Sequence, residues 1–316
     1  MLSIATFNLC NLSAAARPAR LQRLGAQIAA ELAGPAILAL QEIMQERSGP
    51  AGEPVPADAA YRALIEAVTG AGGPSYAYRE IPPLADRDGG MAGANIRVGL
   101  LFDPARVRFS DRGNAGPEAS NGIRFSGDGP SLTLNPGRIA PVHPAFAGDH
   151  HRHWAPSRKA LAAEFESAGR RLFVIVCHFK SMRAPDRREE DYAKKQRHAQ
   201  AEIVQQFAAD LLACDPQAAI VILGDLNDVP GSKTLKLLKG ERFHNLLDDQ
   251  PRGQCYTRRH GGQPQALDHI LVSPALRGGA AVRIPHPNSD AAPHGPEPAS
   301  DHDPVLALFP AFAGPD

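Results

Sequence analysis

Apolar residues along this chain follow two rhythms. Short runs rich in β-branched residues predict strands, and apolar residues spaced three and four apart predict helices. Strands are expected over 2–9, 36–40, 75–80, 95–102, 218–223, 265–273 and 304–309. Residues 159–165 and 171–176 read as a hairpin around Ser167-Ala168-Gly169, and 106–109 as a continuation of 95–102 across the Asp103-Pro104 turn. Leu21, Leu24, Ile28 and Leu32 share a helical face over 17–32, which Gly34-Pro35 stops. Tyr61, Leu64, Ile65 and Val68 do the same over 57–69, and Ile203, Val204, Phe207 and Leu211 over 187–212. A short helix over 232–238 follows Pro230-Gly231. Alternating strands and helices predict an α/β protein.

Two stretches lack either rhythm. Residues 110–156 and 277–299 are rich in Gly, Pro and His and read as long loops. The first carries His143, His150, His151 and His153 before Trp154. A His-x-His metal site is one reading of that cluster; a solvated, mobile loop is the preferred one. Residues 86–94 form a Gly-rich surface loop.

The strands end in polar residues. The first ends at Asn8, the second is followed by Gln41-Glu42, and the run to Cys177 ends in His178-Phe179-Lys180-Ser181. The run 218–223 ends in Gly224-Asp225-Leu226-Asn227-Asp228. Asp225 and Asn227 lie two apart, so in extended chain both point the same way. An Asp-Asn turn after a strand would look the same, so this stretch alone leaves both readings open. Asp268-His269 lie in a late strand, and Ser300-Asp301-His302-Asp303 precede the last. Open α/β sheets keep their sites at the carboxyl ends of strands. Asn8, Glu42, Asp225, Asn227 and Asp301 are oxygen donors, a set suited to Mg²⁺ or Mn²⁺ rather than zinc. Histidines beside carboxylates can act as general bases. A cation, a base and donors facing an anion together suit phosphoester hydrolysis.

Composition narrows the picture a little. Lys+Arg and Asp+Glu number 34 each, so no global basic field draws polyanions. A local basic groove is compatible with that balance. The 4 cysteines have no CxxC spacing and read as free thiols. No apolar run is long enough for a membrane span. No positive charge precedes Ala14-Ala15-Ala16, and Asn8 and Asn11 interrupt the segment before it. The expectation is a cytoplasmic chain, or a secreted one if a signal upstream of Met1 was removed.

In order along the chain, Thr6-Phe7-Asn8, Leu40-Gln41-Glu42, His178-Phe179-Lys180-Ser181 and Gly224-Asp225-Leu226-Asn227-Asp228 are followed by Leu267-Asp268-His269 and Ser300-Asp301-His302-Asp303-Pro304. Each block is weak, but the ordered set resembles the endonuclease/exonuclease/phosphatase superfamily, in particular its bacterial nuclease-like branch. The resemblance implies a four-layer α/β sandwich: two mixed sheets packed face to face, with helices outside. It implies one domain over 1–316, because Asn8 and Asp301 must meet. By resemblance, Glu42 holds the metal with Asn8 and Asp301. Asp225 orients or activates the attacking water, and Asn227 positions it or binds a phosphate oxygen. His302, held by Asp268, is the general base, and His178 donates to the phosphate. Whether His302 or Asp225 takes the proton is left open by the resemblance, as is the number of metals. Arg97, Arg158 and Lys180 are candidate contacts to substrate phosphate.

The chain departs from the pattern at two places. Cys10 stands where apurinic-site nucleases carry an acidic residue, and no carboxylate lies near Asn95-Ile96-Arg97 to pair with His178. The expected activity is metal-dependent hydrolysis of DNA or RNA. A small-molecule or lipid phosphoester is the alternative substrate, disfavoured by polar loops. A non-catalytic binding module comes last, because the expected catalytic residues are present. The sequence identifies no protein partner.

Overall fold

The structure, a computed structural model, describes residues 1–45, 49–50, 52–90, 93–149, 151–251, 253–291 and 297–312. Its strands are those predicted, with shifted ends, plus several short ones. They are β1 (Leu2–Leu12), β2 (Ile37–Met44), β3 (Ala77–Glu80), β4 (Ile96–Phe102), β5 (Arg108–Phe109), β6 (Ile123–Ser126), β7 (Gly129–Leu132) and β8 (Gly137–Arg138). The second half has β9 (Leu161–Ser167), β10 (Arg170–His178), β11 (Ala219–Asp225), β12 (His244–Asn245), β13 (Arg258–His260), β14 (Gln263–Gln265), β15 (Asp268–Val272), β16 (Ala281–Arg283) and β17 (Val305–Phe309). One sheet has 6 strands in the order β16-β17-β1-β2-β4-β3. A second, 7-stranded sheet runs β12-β15-β11-β10-β9-β5, with β8 also on β9. Both are mixed: β1 and β2 are parallel, as are β10 and β11, and the other pairings in the two sheets are antiparallel.

The alternation of side chains sets the layers. In β10, Leu172, Val174 and Val176 face the other sheet, and Phe173, Ile175 and Cys177 face outward. Val221 and Leu223 of β11 point inward, against Ile4, Ile37 and Ala39 of the first sheet. The outer face of the second sheet is covered by α4 (Arg187–Cys214) and α5 (Lys233–Lys239), through Val204, Ala208, Leu211 and Leu235. The outer face of the first is covered by α1 (Pro18–Ala26) and α2 (Asp58–Gly70), through Leu24, Tyr61, Leu64 and Val68. The fold is therefore the expected four-layer α/β sandwich. A further turn of α-helix was expected after α1, but residues Gln27–Glu31 widen into a π turn. The N-terminus of α4 is fixed by Asp186, whose carboxylate accepts from the Arg188 and Glu189 amides. No described helix is long and apolar enough to cross a membrane.

Three expectations need correction. Residues 108–109 do not extend β4 within its sheet; they pair with β9 in the other one. The 110–156 stretch is not an unstructured loop. It carries the β6–β7 hairpin, β8 and a helical turn, α3 (Pro144–Ala147), and buries Leu132, Ile139 and Phe146. Its pieces are too short to show a period. The 86–94 loop is pinned at Asp88, which is buried and ion-paired with Arg138 and Lys159.

The sheet pairing makes one glycine obligatory. Gly224 has φ 135° and pairs with Cys177, and a β-carbon there would lie 1.9 Å from the Cys177 carbonyl oxygen. Gly224→Ala is expected to lower unfolding stability by about 2 kcal/mol or more. A urea melt that matches wild type would show that the strand pair yields without cost.

Candidate active site

The inward rows of the central strands are apolar until the strands end, and there they turn polar. In the second sheet, register pairs His178 with Asp225 and Asp225 with Asp268, so three adjacent strands set three ionisable groups in one line. In the first sheet Asn8 pairs with Gln41. Glu42 follows at φ 61°, where the register of β2 slips. This bulge turns Glu42 inward beside Asn8, although the next residue, Ile43, faces the outer core.

The two sheets touch through side chains here. Asn8 Nδ2 donates to Asp225 Oδ2 at 3.0 Å and to Glu42 Oε1 at 3.2 Å. Asn8 Oδ1 accepts from the Cys10 amide at 2.9 Å, and Glu42 Oε2 from the Asn11 amide at 3.0 Å. Asn8 thus ties two carboxylates together, with its carbonyl turned to Cys10. His178 Nε2 lies 3.5 Å from Asp225 Oδ2 and 3.9 Å from Glu42 Oε1. His178 Nδ1 is buried with no hydrogen-bond partner among the described residues, in keeping with the missing carboxylate near Arg97. His302 Nδ1 sits 2.7 Å from Asp268 Oδ2, and its Nε2 4.0 Å from Asp225 Oδ2. The Asn227 amide donates to Asp225 Oδ1 at 2.9 Å, and Asn227 Nδ2 to the Phe179 carbonyl at 3.2 Å. Asn227 has φ 50°, a conformation Asn tolerates. Arg158 is buried and donates to the same carbonyl. Lys180 follows it, partly buried.

Electrostatics separate these groups. Burial, with Asp268 and Glu42 nearby, pushes the Asp225 carboxyl up to about 7 against the pull of His302. Burial alone would lower His302, but Asp268, Asp225 and Asp301 outweigh it and raise it to about 10. Burial, Arg158 and His302 hold His178 well below its ordinary value, so it is neutral at neutral pH. Buried carboxylates crowded around Asp225 repel one another, and such a set fits a hard divalent cation. Glu42, His178 and Asp225 present ligand atoms within 4.8 Å of one another, as do Asp225, Asp268 and His302.

A sequence profile described as the Endonuclease/Exonuclease/phosphatase family matches residues 5–302. The chain belongs to the endonuclease/exonuclease/phosphatase family. No curated protein matches it significantly in sequence. Among solved structures, truncated TDP2 from Caenorhabditis elegans is similar at TM-score 0.59 and 14% identity, covering 99% of this chain and 98% of that one. D. rerio TDP2, complexed with single strand DNA product, is similar at TM-score 0.56 and 16% identity over 98% of each chain. An endonuclease/exonuclease/phosphatase family protein from Bacteroides thetaiotaomicron reaches TM-score 0.58 at 16% identity, over 97% and 96%. At these identities the likeness is one of fold.

Within this family fold, Arg97 stands apart from the other predicted residues. Val98 and Leu100 face the inner core, so Arg97 faces outward. There it is buried, paired with Glu80 at 3.0 Å and bonded to the Val55 and Asn95 carbonyls. It braces β4 against β3 and is not a phosphate contact. Among the described residues, the histidines of the 110–156 stretch form no metal-binding group either. His143 caps α3, His153 stacks on Tyr192 at 5.1 Å, and His151 is exposed; His150 lies outside the described residues. Asp301 meets Arg258 at 2.9 Å.

Sequence reasoning missed the residues that hold the site's framework. Thr257 Oγ1 donates to Asp268 Oδ2 at 2.6 Å and accepts from the Leu267 and Asp268 amides. Ser300 Oγ donates to the Asn8 carbonyl at 2.7 Å. Asn288, buried in the second long loop, donates to the His302 carbonyl at 2.7 Å. A lone Thr, Ser or Asn in a polar segment gives no signal until register brings its partner.

The His302–Asp268 pair has a pH signature. A histidine that holds its proton more tightly when folded adds stability that is complete below the unfolded value near 6.5. That stability is lost as the pH rises through about 10. In metal-free protein, the stability gap between wild type and His302→Gln should shrink across this window in urea melts at stepped pH. A gap constant with pH would show that His302 is neutral throughout.

Proposed function

We propose that this chain is a divalent-metal-dependent phosphodiester hydrolase, using Mg²⁺ or Mn²⁺, with a nucleic acid strand as substrate. The observation that carries the reading is the line of His178, Asp225 and Asp268 at one sheet's edge, facing Asn8 and Glu42 on the other. Glu42 and Asp301 would hold the cation, with Asn8 fixing the Glu42 carboxylate; the cation supplies charge neutralisation at a phosphoryl oxygen. His178, neutral and buried, donates one N–H to that phosphoryl group. Arg158, near Glu42 and Asp225, adds positive charge on the same side, and Lys180 follows the Phe179 carbonyl that Arg158 holds.

The electrostatics favour one of the two divisions of labour left open between Asp225 and His302. Burial raises the Asp225 carboxyl in the metal-free protein, to about 7, which suits it to take the proton of the attacking water. His302 carries a proton that Asp268, Asp225 and Asp301 stabilise, so it acts first as a cation beside the developing negative charge. Asn227 holds Asp225 through its backbone amide. A fold of this kind has been seen with single strand DNA product in D. rerio TDP2, which supports a strand as the ligand class.

Supercoiled plasmid and a chromogenic phosphodiester, each with and without Mg²⁺ or Mn²⁺, test the reading in wild type and Asp225→Ala. Metal-dependent nicking that disappears in the variant is expected. Hydrolysis of the small diester alone would keep the chemistry and exclude DNA as substrate. Inactivity of folded protein on both would reject the reading. His302→Ala is expected to lower turnover by about two to three orders of magnitude, through loss of a cation beside the developing charge. Glu42→Gln should raise the Mg²⁺ concentration needed for half-maximal rate while leaving the melting temperature nearly unchanged. A large loss of melting temperature without a metal effect would make Glu42 a structural residue.

A further inference from the structure

The hairpin of β13 and β14 rises beside the site, and its first residue is Arg258. Arg258 Nη2 lies 2.9 Å from Asp301 Oδ2, with side-chain exposures of 18% and 43%. Its Nε is buried and has no hydrogen-bond partner among the described residues. A buried donor left unpaired is costly, and this one lies on a group whose fork matches two oxygens of a phosphate.

The backbone under Arg258 is held firmly. The Thr257 amide donates to the Gln265 carbonyl, and the Thr257 carbonyl accepts from the Asp303 amide at 2.6 Å. Thr257 Oγ1 holds Asp268, the partner of His302. Tyr256 stacks on His286 with ring centres 4.0 Å apart. Among the described residues the guanidinium has one ionic or hydrogen-bonding partner, the Asp301 carboxylate at the exposed rim.

Asp301 is also one of the two carboxylates assigned to the cation under the phosphodiesterase reading, on which this inference rests. A guanidinium and a divalent cation on one carboxylate repel each other. We infer that Arg258 is a substrate-binding residue that shares Asp301 with the cation and transfers its guanidinium to the substrate phosphate when the cation takes up the Asp301 charge. The transfer breaks only an ion pair and forms another, this time with two phosphate oxygens.

Two effects of opposite sign follow from removing Arg258. Arg258→Ala should bind Mn²⁺ about three- to tenfold more tightly, because a competing positive charge has left Asp301. The same variant should raise KM for bis(p-nitrophenyl) phosphate by about tenfold, since a charge-assisted contact to the diester is lost. Arg258→Lys keeps the charge without the fork, so it should bind Mn²⁺ like wild type yet show a raised KM. Free Mn²⁺ measured by electron paramagnetic resonance gives the affinity without any turnover, on the full chain, with melting temperature as the folding control. If wild type binds Mn²⁺ and hydrolyses the diester but Arg258→Ala leaves Mn²⁺ affinity unchanged or weaker, the inference fails and the phosphodiesterase reading stands. An unchanged KM in both variants would also overturn it. If wild type neither binds Mn²⁺ nor cleaves the diester, both fall together.

Discussion

The hydrogen bond from Asn8 to Asp225 crosses from one sheet to the other, and the site depends on it. Asp225 is 2% exposed. A carboxylate so far from water needs donors, and they come from different parts of the chain: the Asn227 amide and Asn8 Nδ2, with two histidine rings within 4.0 Å. Only face-to-face packing of the sheets brings these together. The apolar inner rows fix the spacing of the sandwich, and the polar residues that end those rows meet at one rim. Core packing and site geometry are thus set by one alternation of side chains.

Charge at that rim is divided among unlike partners. The carboxylates Glu42, Asp225, Asp268 and Asp301 face His302, Arg158 and Arg258, and the balance leaves Asp225 and His302 far from their ordinary titration ranges. Positions that look similar in sequence end up with opposite roles. His178 and His302 both sit beside Asp225, yet burial and Arg158 keep the first neutral while Asp268 keeps the second charged. A second buried cluster, Asp88 with Arg138 and Lys159, plays a different part: it pins the 84–90 loop to β8 and to the approach to β9.

How much of this was legible in the sequence varied with distance along the chain. The strands around Val174 and Val221 were plain, because a buried strand writes its own apolar run. Their polar ends were plain for the same reason, since Asp225 and His178 interrupt those runs. Glu42 was expected at this rim, but not how it gets there: the bulge at φ 61° follows from pairing with β4, which residues 36–42 alone do not encode. Arg97 was misplaced because a single charge in a strand does not announce its face; Val98 and Leu100 do, once the inner core is known. Thr257, Arg258 and Asn288 were invisible because their partners lie in other segments. The short strands between 110 and 140 were missed because two to four residues carry no measurable period.

The first strand and the last are neighbours. β17 pairs with β1, and Ser300 grips the Asn8 carbonyl. Topologies that join distant segments close slowly, because large loops must be ordered before any contact rewards them. On the ribosome, β1, β2, β10 and β11 emerge long before the segment that carries Asp301 and His302. A growing chain therefore holds part of the constellation without the whole of it. Whatever this site does, it does only after β17 has paired with β1 and closed the first sheet, so the constellation is assembled late, however early its first residues appear.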